Sequence, residues 1–404
     1  MTELTEAAVC PMGYSDFDHM TADPNGENPY PVYRQLRSGC PVGRSEEYGG
    51  FWVVTGYPEC YEVLHNPEIY SSRSITFPAF PQDAPMIPIE LDPPDHALYR
   101  SLLAPAFSPR RTREMWEDPI REVVNELIDG FIDSGRCDAY KTLAEPVPCY
   151  MGTTLLGLPD KDAPRLLEWV SAIVDNSPSD PEAPRRAMES QYEYFSAKLD
   201  ERRADPSGDD VLSRLIRAEV DGKRLTQEEL LGFCLLLLLA SIDTTQKAIG
   251  SMMWHLAKDA DLRHQLAADP SKIPTAVDEM LRFWSPSQPS RVVVRDTELG
   301  GHQLKAGDIV LMMIGAADRD EREFPDAETF VPDRSPNRHL TFGGHIHKCI
   351  GAHIARLEMR ILLEEFLRRI PDFEIEDDSK VRWNPGQVQG YSSVPITFKA
   401  GSAQ

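Results

Sequence analysis

Apolar side chains recur at three- and four-residue steps through Ile120, Val123, Val124, Leu127, Ile128, Phe131 and Ile132, the signature of an amphipathic helix running from Arg113 to Ser134 and stopped by Gly135. A second pattern is stronger. Thr226 and Glu229 form a capping-box pair ahead of an unbroken apolar run, Leu230 to Ile242, and predict a helix that continues to about Lys258. At ~1.5 Å per residue it would be nearly 50 Å long, enough to cross the molecule, so a helix this apolar in its middle must be central. The run falls short of the ~20 residues a membrane helix needs and reads as buried core.

After Trp284 the texture turns to β: Arg291 to Arg295, the Gly300-Gly301 turn and Asp308 to Met313 read as short strands. Helix returns beyond Cys349, with Ile354, Leu357, Ile361, Leu362 and Phe366 on one face. The first hundred residues are rich in proline and aromatics and mix short elements, among them a strand at Gly50 to Gly56 and a helix from Pro58. There is no repeat, low-complexity linker or clean boundary. The expected architecture is one domain, 1-404, mainly α with a smaller β-rich lobe (α+β), and a flexible N-terminus over residues 1-20.

Composition narrows the partners. A formal net charge of -23 repels nucleic acid and anionic membranes. The first residues carry acids where a signal peptide needs basic ones, and no export-length apolar stretch, so a cytoplasmic location is expected. The seven cysteines (Cys10, Cys40, Cys60, Cys137, Cys149, Cys234 and Cys349) are scattered without paired spacing, which suits a reducing compartment.

Two segments carry chemistry. In Phe342-Gly343-Gly344-His345-Ile346-His347-Lys348-Cys349-Ile350-Gly351 a cysteine opens a helix after a glycine-containing loop. Backbone N–H groups and the positive dipole end there favour the thiolate, the metal-binding form, and glycines let the backbone approach the sulfur. Within the central helix, Ala240-Ser241-Ile242-Asp243-Thr244-Thr245 sets polar groups among leucines, where they need partners or a function. Simpler readings stand beside these: a buried structural cysteine, a zinc site using His345, His347, Cys349 and His353, and a Thr244 hydroxyl bonded back to its own helix.

The cysteine segment resembles the haem loop of the cytochrome P-450 family, Phe-Gly-x-Gly-x-(His or Arg)-x-Cys-x-Gly, on Phe342, Gly343, His347, Cys349 and Gly351. The resemblance implies the family's fold, with haem b between the long central helix and the loop, Cys349 as axial iron ligand, Phe342 packed beside it and His347 on a haem propionate. His345 departs, standing where the family has its second glycine, and Gly344 is the neighbour able to share that turn. The helix segment is similar to Ala/Gly-Gly-x-Asp/Glu-Thr-Thr, with Ser241 in place of glycine; it implies that Ala240 flanks the haem, Thr244 hydrogen-bonds dioxygen and Asp243 passes protons. Glu279 and Arg282 match the family's structural Glu-x-x-Arg pair, and His96, Arg100 and Arg291 match further propionate ligands. The matches keep their order from His96 to Ala355.

The implied activity is a monooxygenase that inserts one atom of dioxygen into a medium-sized hydrophobic substrate such as a terpenoid, branched lipid or fatty acid. By family position its pocket is walled by Phe77, Phe80, Met86, Ile87, Leu236, Leu237, Ala240, Ser287, Gln288 and Val388. The chain lacks a flavin or nicotinamide fingerprint, so electrons come from outside. In soluble relatives they come from a ferredoxin fed by an NAD(P)H reductase, for which Arg110, Arg111, Arg113, Lys348, Arg356 and Arg360 would form a basic patch on an otherwise acidic monomer. A peroxide-driven haem-thiolate enzyme and a haem carrier or sensor without turnover remain open alternatives.

Overall fold

The computed structural model describes residues 14-22, 28-79, 85-174, 180 and 182-403. The long helix is Gln227–Lys258, and both halves of the capping box form, Thr226 to the Glu229 N–H and Glu229 to the Thr226 N–H. Along most of its length its side chains are buried, as the apolar run requires. It runs through the larger of two cores, which also gathers Ile120, Val124, Phe195, Met280, Ile361 and Phe366.

The helix expected from Arg113 begins earlier and ends earlier, at Pro109–Asp129. Pro109 fits the first turn, where its missing N–H costs nothing, and Phe131 leaves helical geometry before a short turn, Ile132–Ser134, that Gly135 closes with φ 68°. The helix Ala352–Arg369 packs across it.

The β-rich part is a five-stranded sheet in the order Val42–Ser45, Phe51–Val54, Ile309–Met312, Ser290–Val293, Tyr70–Ser71. Its parallel pairing sets Leu311 opposite Val53, and its antiparallel pairing sets Val310 opposite Arg291. Val42, Val54, Tyr70, Val310 and Met312 fill a second, smaller core beneath it.

The expectation of a flexible N-terminus through residue 20 is corrected from Tyr14 onward. Tyr14, Phe17 and His19 are buried; the Tyr14 hydroxyl donates to the Cys40 carbonyl at 2.6 Å, and Ser45 to the Phe17 carbonyl at 2.8 Å. Two aromatic rings found a place in the core, which the acidic residues around them obscured. Residues 1-13, Cys10 among them, lie outside the described residues. No described helix is long and apolar enough to cross a membrane.

Candidate active site

One large cavity, about 1680 Å³ of empty space with its mouth included, lies between the central helix and the cysteine loop. Leu236, Leu237, Ala240, Ser241, Thr244, Thr245 and Ala248 face it from the helix; Phe342, Gly343, His347, Cys349, Gly351, Ile354 and Glu358 face it from the other side.

The cysteine loop is tightly wound. The Cys349 N–H donates to the Phe342 carbonyl at 2.7 Å and the Gly343 N–H to the Leu340 carbonyl at 2.7 Å, with Gly343 at φ 66°. Gly351 caps the following helix, with its Cα side in ordinary contact range of the Cys349 sulfur. The sulfur opens into the cavity while protein closes around its other sides. That burial pushes the thiol up; the Gly351 and Ala352 N–H groups, with Arg100 and Arg356, act the other way and favour the thiolate.

His345 itself adopts the left-handed conformation, at φ 53°. Gly344 does not share the turn: it is extended, and a side chain on it would strike the His65 ring at 2.6 Å. His345 packs edge-on against His65, and His347 lies 4.2 Å from His96, so the histidines diverge from Cys349 rather than converge on it. Among the described residues no three His, Cys, Asp or Glu side chains are grouped to hold a metal, which removes the zinc reading.

Opposite the loop, the Thr244 hydroxyl donates to the Ala240 carbonyl at 3.3 Å, a long bond that leaves the hydroxyl at the cavity wall. Ser241 bonds back to the Leu238 carbonyl at 3.3 Å and lies against Gly152, where a side chain would come within 2.8 Å of its Oγ. Asp243 is buried just outside the cavity wall, beside Tyr140, whose ionisation its charge opposes.

Cationic groups gather at one corner. Arg100, Arg291 and His347 line the cavity, Arg100 donates to the Lys348 carbonyl, and His347 Nε2 meets the Ser72 hydroxyl at 3.0 Å. Burial pushes Arg291 down to about 10. Burial, with Arg291, His96 and Arg100 close by, pushes His347 down to about 2. His96 Nε2 and His347 Nδ1 are buried without a partner. Arg100 and Arg291, beside two imidazoles with unpartnered ring nitrogens, outweigh the nearby Asp92 carboxylate, so the corner fits an anionic ligand, and together with a sulfur facing Ala240 and Thr244 it fits haem with its propionates.

Glu279 and Arg282 are fully buried rather than a surface pair. Arg282 donates to both Glu279 oxygens at 2.7 and 2.8 Å and to the Asp318 and Ala327 carbonyls; Arg334 and Asn337 complete the carboxylate. Asp318, raised to about 6 by burial, accepts from the Leu340 N–H and the Thr341 hydroxyl, where the cysteine loop begins.

The pocket expectation needs correction. Leu236, Leu237, Ala240 and Ser287 line the cavity, while Phe77, Met86, Ile87, Gln288 and Val388 do not. Phe77 packs tilted against Phe51 and edge-on against Tyr48, Ile87 lies under Gly232, Gln288 is buried behind the wall, and Val388 bridges back to Ser287; Pro88, Ile89 and Met151 hold the wall instead. Phe80 lies outside the described residues. The basic patch is partly neutralised: Arg110 pairs with Glu114, Arg111 with Asp209, Arg356 with Asp278, and Arg360 with Glu117 and Glu364. One residue escaped the sequence reading. Glu358 is buried against the cavity, its Oε1 lacks a partner, and burial holds it protonated, raised to about 8. Its signal was a carboxylate in the same helical row as Ile354 and Ile361.

The family model for cytochrome P450 matches residues 49–390. Among curated proteins the chain is 36% identical to cytochrome P450 monooxygenase PikC of Streptomyces venezuelae, covering 93% of this chain and 92% of that one. It is 33% identical to a steroid C26-monooxygenase of Mycolicibacterium smegmatis, covering 91% and 92%. Among solved structures it resembles CYP109E1 from Bacillus megaterium in complex with testosterone, with a TM-score of 0.84 and 33% identity over 92% of this chain and 98% of that one. A cysteine facing the central helix across an apolar cavity with one basic corner, in a chain matched nearly end to end, identifies this protein as a member of the cytochrome P450 family, an oxidoreductase of the monooxygenase kind.

Proposed function

We propose that this chain is a monomeric, cytoplasmic monooxygenase that holds haem b on Cys349 and hydroxylates a medium-sized hydrophobic substrate, of the terpenoid, branched-lipid, fatty-acid or steroid type. Electrons reach it from NAD(P)H through a reductase and a ferredoxin. The observation that carries the reading is the Cys349 sulfur, flanked by the Gly351 and Ala352 N–H groups, facing the same cavity as Ala240 and Thr244. The apolar wall of Ile75, Ile89, Met151, Leu155, Leu236 and Leu237 supports the substrate class. So do the steroid named in one relative's activity and the testosterone bound in a solved neighbour.

Haem, when bound, supplies the iron at which dioxygen is reduced and one oxygen atom is transferred. Cys349 would hold it as the thiolate, a strong electron donor to the metal. His96, Arg100, Arg291 and His347 would hold its carboxylates. Thr244 donates a hydrogen bond toward dioxygen, and Asp243 passes inward the protons that leave with the second oxygen atom as water. The leucine wall excludes bulk water and holds one C–H bond over the reaction site. Overall, substrate C–H, dioxygen, two electrons and two protons become C–OH and water.

The test is the carbon monoxide difference spectrum of the reduced protein, followed by titration with testosterone and with fatty acids. A red-shifted haem-thiolate band, lost in Cys349→His, and a low- to high-spin shift with an apolar ligand are expected. A histidine-type band would overturn the Cys349 assignment. Spin shifts with polar, charged molecules alone would overturn the substrate class.

A further inference from the structure

Four residues of the central helix, Leu236, Ala240, Asp243 and Lys247, follow one another at four-, three- and four-residue steps and so form a single stripe. The first two line the cavity; the last two are enclosed by protein while Thr244 and Ala248 beside them face the cavity. Lys247 is 3% exposed and Asp243 4%, unusual burial for either charge. Glycines clear the space: side chains at Gly250 and Gly390 would strike Tyr391 and Lys247 backbone oxygens at 2.2 and 2.7 Å, so the strand Gly390–Ser393 closes directly over this turn.

The Lys247 ammonium donates to the Tyr140 hydroxyl at 3.1 Å and lies 5.2 Å from the centre of that ring. Tyr140 is no anion. Burial, Asp243 and Glu145 raise its hydroxyl, while Lys247 acts oppositely, so its charge state registers both Asp243 and Lys247 at close range. Gln246 accepts from the same hydroxyl at 3.3 Å and donates to the Glu145 carbonyl at 3.5 Å. Side chains four apart on a helix are neighbours, and a buried cation and a buried carboxylate so placed compensate one another.

We propose that Lys247, seated on Tyr140, is the counter-ion of Asp243 and a positioning residue for proton delivery: it keeps the Asp243 carboxylate ionised and turned to the protein side of the stripe. The proposal rests on the reading of Asp243 as the proton carrier. In this arrangement Asp243 collects a proton only when it swings off Lys247 toward Thr244, so the ion pair meters the protons. Loss of the cation leaves the buried carboxyl with its desolvation uncompensated, a rise of roughly three to five units that makes it protonate at neutral pH.

The experiment compares haem-loaded wild type, Lys247→Met, Lys247→Arg, Asp243→Asn and the double variant Lys247→Met/Asp243→Asn. Infrared difference spectra at neutral pH should show a protonated carboxyl band in Lys247→Met that Asp243→Asn removes, and none in wild type or Lys247→Arg. The fraction of electrons recovered in product should shift its pH dependence upward in Lys247→Met and return in Lys247→Arg. No new band in a folded Lys247→Met overturns the proposal. If Lys247→Met fails to fold, the double variant should recover haem loading, and failure to recover it overturns the proposal equally. Unchanged coupling in Asp243→Asn would instead refute the proton-carrier reading, while the infrared result still decides the ion pair.

Discussion

His96 and His347 hold their rings 4.2 Å apart, each with one buried ring nitrogen lacking a partner. Burial first, then Arg100 beside His96 and Arg291 beside His347, push both imidazoles below their ordinary range, so they stay neutral in this corner. An incoming dianionic ligand reverses that bias, so haem binding near pH 6 should be accompanied by proton uptake. Calorimetry in buffers of different ionisation heat checks this. Uptake should fall in His347→Ala, whose haem is also lost faster to an apo-globin trap, while its carbon monoxide band keeps the thiolate position.

His345 occupies a conformation that costs an ordinary residue about 1–2 kcal/mol. His345→Gly relieves it, set against the loss of the His65 contact, and should raise thermal stability by up to about 1 kcal/mol. His345→Ala loses the contact and keeps the strain, so it should melt lower than wild type. Equal melting of the two variants would show that the loop has another path.

Glu358 gives a pH dependence with a definite sign. Its folded value of about 8 lies above the ordinary 4.5, so the fold binds this proton more tightly than the unfolded chain. The stabilisation is fully present below pH 4.5 and is lost as pH rises toward 8, at up to roughly 1.4 kcal/mol per unit. Glu358→Gln should flatten the denaturation midpoint between pH 5 and 8, approximately, relative to wild type. An unchanged slope would mean that the carboxyl is ionised in the fold.

Electron delivery should discriminate among the basic residues. Arg113 and Lys348 form no ion pair among the described residues, whereas Arg111 is paired with Asp209 at 3.1 Å. Stopped-flow reduction by ferredoxin should slow more, and with steeper salt dependence, in Lys348→Glu and Arg113→Glu than in Arg111→Glu, with substrate spin shifts unaltered. Equal rates in all three would place the electron donor elsewhere.

Removing one member of the Glu279–Arg282 pair leaves the other charge buried alone. Glu279→Ala should cost about 3–5 kcal/mol and lower haem content with it, as chemical denaturation followed at the Soret band would report. Replacing the similarly spaced surface pair Glu182–Arg185 should change stability by less than about 0.5 kcal/mol.

How legible the site was depended on whether a residue's role followed from its own element. The central helix announced itself through its cap and apolar run, and Cys349, Thr244 and Arg291 were placed by short patterns on or beside regular structure. The segment around residues 77–91 carries no period, so which of its side chains meet the cavity depends on its path across the helix. Ile89 turned inward where Ile87 was expected, because Gly232 let the chain settle on the helix at Ile87. Buried charges were the least legible. Lys247 and Glu358 belong to no motif, and Glu279 stands out only through its resemblance to the Glu-x-x-Arg pair; tertiary packing is what withdraws all three from water.

The Arg282 guanidinium reaches carbonyls of Asp318 and Ala327, and Asp318 in turn holds the N–H of Leu340 and the hydroxyl of Thr341. The sulfur that would carry the iron is thus suspended from three segments remote in sequence, not from a stem of its own. Such a loop has no independent hinge. Opening that loop and melting the core become one cooperative event, so the amides around Cys349 should exchange with solvent only as fast as those of the central helix.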